Sequence, residues 1–459
     1  MLKTISPINE SIYVEREYAD SSVIEATLSN ASQVVKEWKN TDLQIRKKLV
    51  SEFVETFLSN HKEIEEELCH QMGRPLSQCA GEMRGFEERA KYMIENSDRA
   101  LETVESKKNS EFHNYIIKDA LGVIFVIAPW NYPYNTSVNS IVPSLLSGNS
   151  VILKHSSQTP LCAEQLFKAS EKAGLPKNIF QFLHLDHVST SKIIGDERID
   201  HVLFTGSVSG GKNVKRAIGD RFIGAGLELG GKDPAYVRSD CNIAHAIENL
   251  VDGSYFNSGQ SCCGIERIYV DKKIYSNFVD GFKDLTEKYK LGNPLDTSTN
   301  LGPVVRKNAA SSIREQISKA INQGARNIIN SSLFKIDNNE NCYVSPSALV
   351  NVDHSMQFMK EETFGPTVGI MEVANEDQAK QLMNDSPYGL TACIWTSDKE
   401  FAELFGKDIQ TGTFFMNRCD YLDPGLAWTG VKDTGMGVTL SVLGFNHLTR
   451  AKSYHLRTV

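Results

Sequence analysis

The sequence lacks a long apolar run. Its longest, Leu121 to Trp130, falls far short of the ~20 residues that a membrane-spanning helix needs. The opening stretch, MLKTISPINESIYVEREYAD, lacks the apolar segment of a signal peptide. An excess of positive charge is also missing. Lys and Arg total 49 against 57 Asp and Glu, giving a net charge of −8. No basic surface for a nucleic acid is expected from that balance. The nine cysteines are Cys69, Cys79, Cys162, Cys241, Cys262, Cys263, Cys342, Cys393 and Cys419. They are scattered, odd in number and without a repeated CxxC pair, so neither a disulfide framework nor a metal site is expected. A soluble protein of the reducing cytoplasm is the expectation. No internal repeat or low-complexity linker is visible.

The length, 459 residues, allows a large core divided among two or three domains. Residues 22–102 read as helical. Leu49, Val50, Phe53, Val54, Phe57 and Leu58 share one helical face, and His70 to Pro75 is a break. This region reads as an outer layer without chemistry of its own, with Cys69 and His70 at an ordinary helix end. Residues 103–120 turn polar, then alternate as a strand pair does. From 121 the pattern becomes α/β. Strands are expected at 122–128, 150–154, 179–183 and 201–204, with a helix at 159–173 stopped by Gly174. Strands alternating with helices predict a parallel, doubly wound sheet, whose ligands bind at the strand carboxyl ends. Beyond 230 a second α/β series starts, with a helix near 244–257, a strand at 265–270 and a helix at 273–289. Residues 330–341, rich in Asn and Ser, read as an exposed loop.

Two stretches carry candidate chemistry. In Phe256-Asn257-Ser258-Gly259-Gln260-Ser261-Cys262-Cys263, small polar residues surround adjacent thiols. Gly259 permits a sharp turn. A reactive thiolate needs such a polar, accessible setting; a buried, inert thiol is the alternative. In Leu227-Glu228-Leu229-Gly230-Gly231-Lys232, one carboxylate sits among apolar residues and glycines, a setting that raises its pKa and suits a general base. A third stretch, Phe204-Thr205-Gly206-Ser207-Val208-Ser209-Gly210-Gly211, follows a strand and opens a helix, where glycines let a pyrophosphate approach. It is not GxGxxG, and a structural turn remains open.

The glutamate and cysteine stretches, in this order and 34 residues apart, resemble the signatures of the aldehyde dehydrogenase superfamily, and the resemblance covers nearly the whole chain. It implies an α/β fold with a Rossmann-type doubly wound cofactor domain (1–102 and 121–229), a second α/β catalytic domain (230–427) and oligomerisation strands (103–120 and 440–459). In the family, that hairpin packs against a neighbouring subunit, where its partner is the C-terminal strand, matched here by residues 449–456. Both segments would be edges in a lone chain, so a homodimer or homotetramer is expected. By resemblance, Cys262 attacks the aldehyde as a thiolate, Glu228 activates water to hydrolyse the resulting thioester, and Asn131 with the Cys262 backbone N–H holds the oxyanion. A glutamate at position 228 favours water over coenzyme A as acyl acceptor. The NAD or NADP cofactor would lie against Trp130, Lys154, Ser157, Gly206, Ser207, Glu362 and Phe364. NAD-preferring members usually carry Glu where this chain has Ser157, so NADP is expected to be accepted. Cys263 is expected to have no required role.

Two departures stand out. Many members carry an Arg-Glu pair where this chain has Val438 and Thr439, which leaves the proton exit open. Succinate-semialdehyde enzymes carry arginines at the positions of Asn139 and Phe256. The expected pocket wall, Tyr132, Phe256, Leu422 and Trp428, suits an apolar or aromatic aldehyde. The alternatives are a semialdehyde enzyme anchored by Arg418, or a fold retained for binding without catalysis. A structural ion pair of Arg418 with Asp420 or Asp423 is the plainer expectation for that residue.

Overall fold

Four helices follow a short N-terminal hairpin in the computed structural model, which describes residues 1–459. They span Ser21–Trp38, Leu43–Leu58, His61–Met72 and Leu76–Ala100. Asp20 caps the first by accepting from the N–H groups of Ser22 and Val23, and Asp42 caps the second through Gln44 N–H. Such caps satisfy amide donors that the first turn leaves free. The apolar stripe Val50, Phe53, Val54 and Phe57 is buried. The break expected at His70–Pro75 is a helix end at Gly73, with φ +83°, followed by Pro75. The hairpin, Leu2–Ile5 against Ile12–Arg16, has strands of only four and five residues, too short for its alternation to stand out.

The strands between 123 and 228 form a six-stranded sheet. Val123–Ile127 lies centrally, with Ser150–Lys154 and then Phe180–Phe182 on one side, and His201–Thr205 and then Gly224–Glu228 on the other. These five are parallel. Only the late Gly435–Met436 segment joins antiparallel, beside Glu228 and Leu227. Burial on both faces explains why Val123–Ile127 reads as an unbroken apolar run. Chain order reverses between Val123–Ile127 and His201–Thr205. Such a switch point opens a crevice at the strand carboxyl ends.

A seven-stranded sheet holds the second series. Its order is Arg326–Asn327, Ser347–Val350, Thr367–Val373, Ile265–Asp271, Asp233–Val237, Thr391–Trp395 and Thr413–Met416, parallel except for the first. The third sheet corrects one expectation. Thr449–Arg457 pairs antiparallel with Phe112–Ala120 of the same chain, from Thr449 opposite Ala120 to Arg457 opposite Phe112. Phe112–Ala120 is therefore the central strand, flanked on its other side by Val104–Lys108, and not an edge. This ladder pairs Phe112–Ala120 on both sides within one chain and leaves the free edges to its two flanking strands. Thr449–Arg457 remains an edge and is largely exposed. No helix is long and apolar enough to cross a membrane.

Candidate active site

The strand Val123–Ile127 runs into Pro129-Trp130-Asn131, and the strand His201–Thr205 runs into Gly206-Ser207. Both endings open into one cavity of about 510 Å³. Cys262, Glu228 and Asn131 line it together, as do Trp130, Gly206, Ser207, Glu362 and Phe364. The four expected wall residues, Tyr132, Phe256, Leu422 and Trp428, line the same space. Lys154 and Ser157 lie outside that lining, at the carboxyl end of Ser150–Lys154. Lys154 is buried and its pKa is lowered to about 8 by burial. Ser157 is exposed.

The thiol is presented by a strained turn. The helix Ile243–Tyr255 gives way to a 3-10 turn over Phe256–Gly259. Asn257, Ser258 and Gly259 have φ of +51°, +57° and +69°, a left-handed run that costs non-glycine residues energy. Neighbours pin it. Asn257 Nδ2 donates to the carbonyls of Asn131 and Gln260 at 3.1 and 3.2 Å. Ser258 Oγ donates to Gly302 O at 2.8 Å, and Gln260 Oε1 accepts from Val305 N–H at 2.8 Å. A side chain at Gly259 would strike the Gly365 carbonyl. Asn131 Nδ2 donates to Gln260 O at 3.2 Å, which holds that amide beside the Cys262 loop. Cys262 itself is partly exposed to the cavity, whereas Cys263 is buried. Its Sγ donates to Asp420 Oδ1 at 3.0 Å. The Cys262 thiol and then burial push the Cys263 pKa well up, and burial pushes Asp420 up to about 7.

Glu228 ends its strand and is held by two hydroxyls. Thr439 Oγ1 donates to Oε1 at 2.5 Å and Thr205 Oγ1 to Oε2 at 2.9 Å. Burial raises its pKa, and the two threonines partly offset that by favouring the carboxylate. Glu362 accepts from Gly231 N–H at 2.9 Å; burial, then the Glu266 charge, raise it to about 8. Its loop is fixed from below by Glu266, which accepts from the N–H groups of Thr363 and Phe364 and pairs with Lys232 at 2.5 Å. Trp130 meets Phe364 edge-on at 5.6 Å.

The outer helices are not chemically silent, contrary to the sequence expectation. Arg74, within the expected break, is fully buried and lines the cavity. It pairs with buried Glu82, donates to the Asn131 carbonyl and to Asn257 Oδ1 at 3.2 Å, and lies over the Tyr132 ring. Glu82 in turn accepts from the N–H groups of Tyr134 and Asn135 at 2.9 and 3.1 Å, capping the helix Pro133–Leu146. Arg89 also reaches the cavity. The available signal was helical spacing: Glu82 and Arg89 interrupt the buried stripe with Phe86 and Met93. Both readings of Arg418 fail. Its guanidinium stacks 3.4 Å from the Tyr421 ring centroid. It makes no ion pair with Asp420 or Asp423 and does not line the cavity.

A family model described as the aldehyde dehydrogenase family matches residues 1–454. The chain belongs to the aldehyde dehydrogenase family. It is 29% identical over 429 residues to the succinate semialdehyde dehydrogenase [NAD(P)+] Sad of Escherichia coli, covering 94% of this chain and 92% of that protein. It is 31% identical over 398 residues to a 3-sulfolactaldehyde dehydrogenase of Priestia megaterium, covering 85% and 82%. The solved succinic semialdehyde dehydrogenase of Streptococcus pyogenes, in complex with NADP+, superposes with a TM-score of 0.95 at 26% identity over the full length of both chains. This aldehyde dehydrogenase is thus an oxidoreductase acting on aldehydes, and its fold is that of the family.

Proposed function

We propose that this aldehyde dehydrogenase oxidises an aldehyde to the free carboxylic acid with NAD or NADP, through covalent chemistry at Cys262. The observation that carries the reading is a partly exposed Cys262 thiol sharing one cavity with Glu228 and Asn131. The Cys262 thiolate adds to the aldehyde carbon, and the carbonyl oxygen becomes an oxyanion. Asn131 Nδ2 and the Cys262 N–H then donate to it, each such donor contributing about 2.7–4 kcal/mol in a preorganised site. When bound, the nicotinamide ring supplies the hydride acceptor that turns this adduct into a thioester. Glu228 takes a proton from water as the water's oxygen attacks the thioester carbon, and the C–S bond breaks to return the thiolate.

The residues present fit such a cofactor. Lys154 is buried at a strand carboxyl end, yet its ammonium has no protein partner among the side-chain contacts. It would donate to the adenosine ribose. Gly206 and Ser207, at the N-terminus of the helix Val208–Ile218, would face the phosphates. One oxygen of Glu362 is free to accept from the nicotinamide ribose, with Trp130 and Phe364 beside the ring. Ser157, exposed and uncharged, offers no repulsion to a 2′-phosphate, so NADP is accepted. Tyr132, Phe256, Leu422 and Trp428 would pack on the substrate's carbon chain. The exposed edge of Thr449–Arg457 supports assembly into a homodimer or homotetramer, and nine free thiols fit a cytoplasmic setting.

Stopped-flow measurement of reduced cofactor tests the mechanism. Glu228→Gln gives one turnover's burst and then stalls at the thioester, and Cys262→Ala gives neither burst nor turnover. Full steady-state turnover in either variant would remove that residue from its role.

A further inference from the structure

The helix Leu76–Ala100 sends two arginines to the cavity wall, exposed Arg84 and buried Arg89. Arg89 is about nine-tenths buried. It lines the cavity wall, and the acidic groups close enough to act on it are Glu228, Cys263, Glu88 and Cys262. It has no salt bridge. Its one hydrogen bond to protein runs from Nη1 to the Asn135 carbonyl at 2.9 Å. A guanidinium carries five N–H donors and stays charged, so most of its capacity is unspent. A buried charge without a partner is costly, which marks the place where an anion is due.

Opposite it, the helix Pro133–Leu146 presents Asn135 and Asn139, one turn apart and both on the cavity wall. Both amides are buried; their Oδ1 atoms lack a hydrogen-bond partner but can only accept, so it is the Nδ2 groups that can donate to an anion. Of the other arginines on the wall, Arg74 is paired with Glu82 and Arg84 is exposed. The wall also carries the carboxyl groups of Glu82, Glu88, Glu228, Asp252, Glu362 and Asp420. Asp420 is occupied by Ser261 and Cys263, Glu88 accepts from Tyr421 at 2.9 Å, and Asp252 is exposed.

We propose that Arg89, assisted by the amides of Asn135 and Asn139, anchors an anionic group at the far end of the aldehyde substrate. Resting on the covalent reading above, this names the substrate class: short aldehydes that carry a carboxylate or sulfonate. The cation comes from the helix Leu76–Ala100, which packs against the helix that carries Asn139. The apolar wall then packs on the carbon chain between the anion and the aldehyde, and does not define the whole pocket.

The test is kcat/KM for succinate semialdehyde, a sulfonated aldehyde of similar length, butanal and 4-aminobutanal, in wild type, Arg89→Met and Arg89→Lys. Wild-type enzyme prefers an anionic aldehyde to butanal, and which anion wins names the tail. Arg89→Met lowers that preference, mainly through KM, on the order of 10- to 100-fold, as expected for a lost hydrogen bond to a charged group. Arg89→Lys restores part of it. If Arg89→Met fails to fold, the wild-type preference alone decides. A wild-type burst with butanal or 4-aminobutanal preferred, or an unchanged ratio in folded Arg89→Met, overturns the anchor and leaves Cys262 in place. No wild-type burst with any aldehyde overturns the covalent reading and the anchor with it.

Discussion

Replacing Thr439 with valine removes one hydroxyl from Glu228 and little else. The two side chains have the same shape, and the backbone of Thr439 keeps its exchange of hydrogen bonds with Trp428. The lost bond is the shorter of the two that Glu228 accepts, 2.5 Å against 2.9 Å from Thr205. Hydrogen bonds to charged groups contribute about 1.5–3 kcal/mol. This bond is stronger to the carboxylate than to the neutral acid. At 1.36 kcal/mol per unit, its loss raises the Glu228 pKa by about 1–2 units. Glu228 acts as a base only when deprotonated, so thioester hydrolysis increases as pH rises through that pKa. In Thr439→Val the acid limb of the kcat profile therefore moves to higher pH by about 1–2 units, when deacylation limits turnover. The amplitude of the single-turnover burst keeps its wild-type pH dependence, because it precedes the step that needs the base. Thr205→Val moves the same limb less. Stopped-flow bursts and steady-state rates across pH measure both quantities. An unmoved limb in Thr439→Val, with the burst intact, would refute the assignment of Thr439 as the hydroxyl that tunes this base.

Arg74→Met leaves Glu82 buried without its cation and lowers unfolding free energy by about 3–5 kcal/mol, read by denaturant titration; adding Glu82→Gln, which removes the charge and keeps an acceptor for the Tyr134 and Asn135 N–H groups, recovers part of that. Lys154→Met raises KM for the cofactor more than it lowers kcat. In wild type that KM increases as pH rises through about 8, the burial-lowered pKa of Lys154, because the ammonium loses the proton it would donate. Ser157→Glu places a charge where a 2′-phosphate would lie and lowers the NADP-to-NAD ratio of kcat/KM by at least about tenfold; equal ratios would dissociate position 157 from cofactor choice.

Periodicity made the sheets legible. Val123–Ile127 and its parallel neighbours are buried on both faces and read as apolar runs, and the helices between them carry clean stops such as Gly174. The Cys262 and Glu228 stretches were legible through their order and spacing, which resemble the family's signatures; their residues alone left a buried, inert thiol open, and Asn257, Ser258 and Gln260 are indeed buried. Arg74, Glu82 and Arg89 were harder to find. Glu82 and Arg89 lie in a segment whose apolar spacing already accounts for a helix, where a charged residue reads by default as solvent-facing, and Arg74 lies in the break before it. Only the packing of Leu76–Ala100 against Pro133–Leu146 turns those positions inward. The pairing of Thr449–Arg457 with Phe112–Ala120 is equally invisible locally, since strand partners more than 300 residues apart leave no mark on either segment.

The replacement of an Arg-Glu pair by Val438 and Thr439 leaves open how a proton taken up by Glu228 departs. Behind the carboxylate lies a second, small cavity of about 20 Å³, lined by Glu228, Thr205, Thr439, Ser140 and Thr434 among others. A space above roughly 10–15 Å³ can hold one water if polar groups surround it, and here several hydroxyls do. A hydroxyl both donates and accepts. Thr439 can therefore donate to the carboxylate in one state and accept from the protonated acid in the other, which a second glutamate fixed as an anion could not do. Its role as a pKa-setting donor and any role as a proton conduit then separate cleanly. The first shifts the pH limb without a solvent isotope effect on its height; the second lowers the plateau and enlarges that isotope effect.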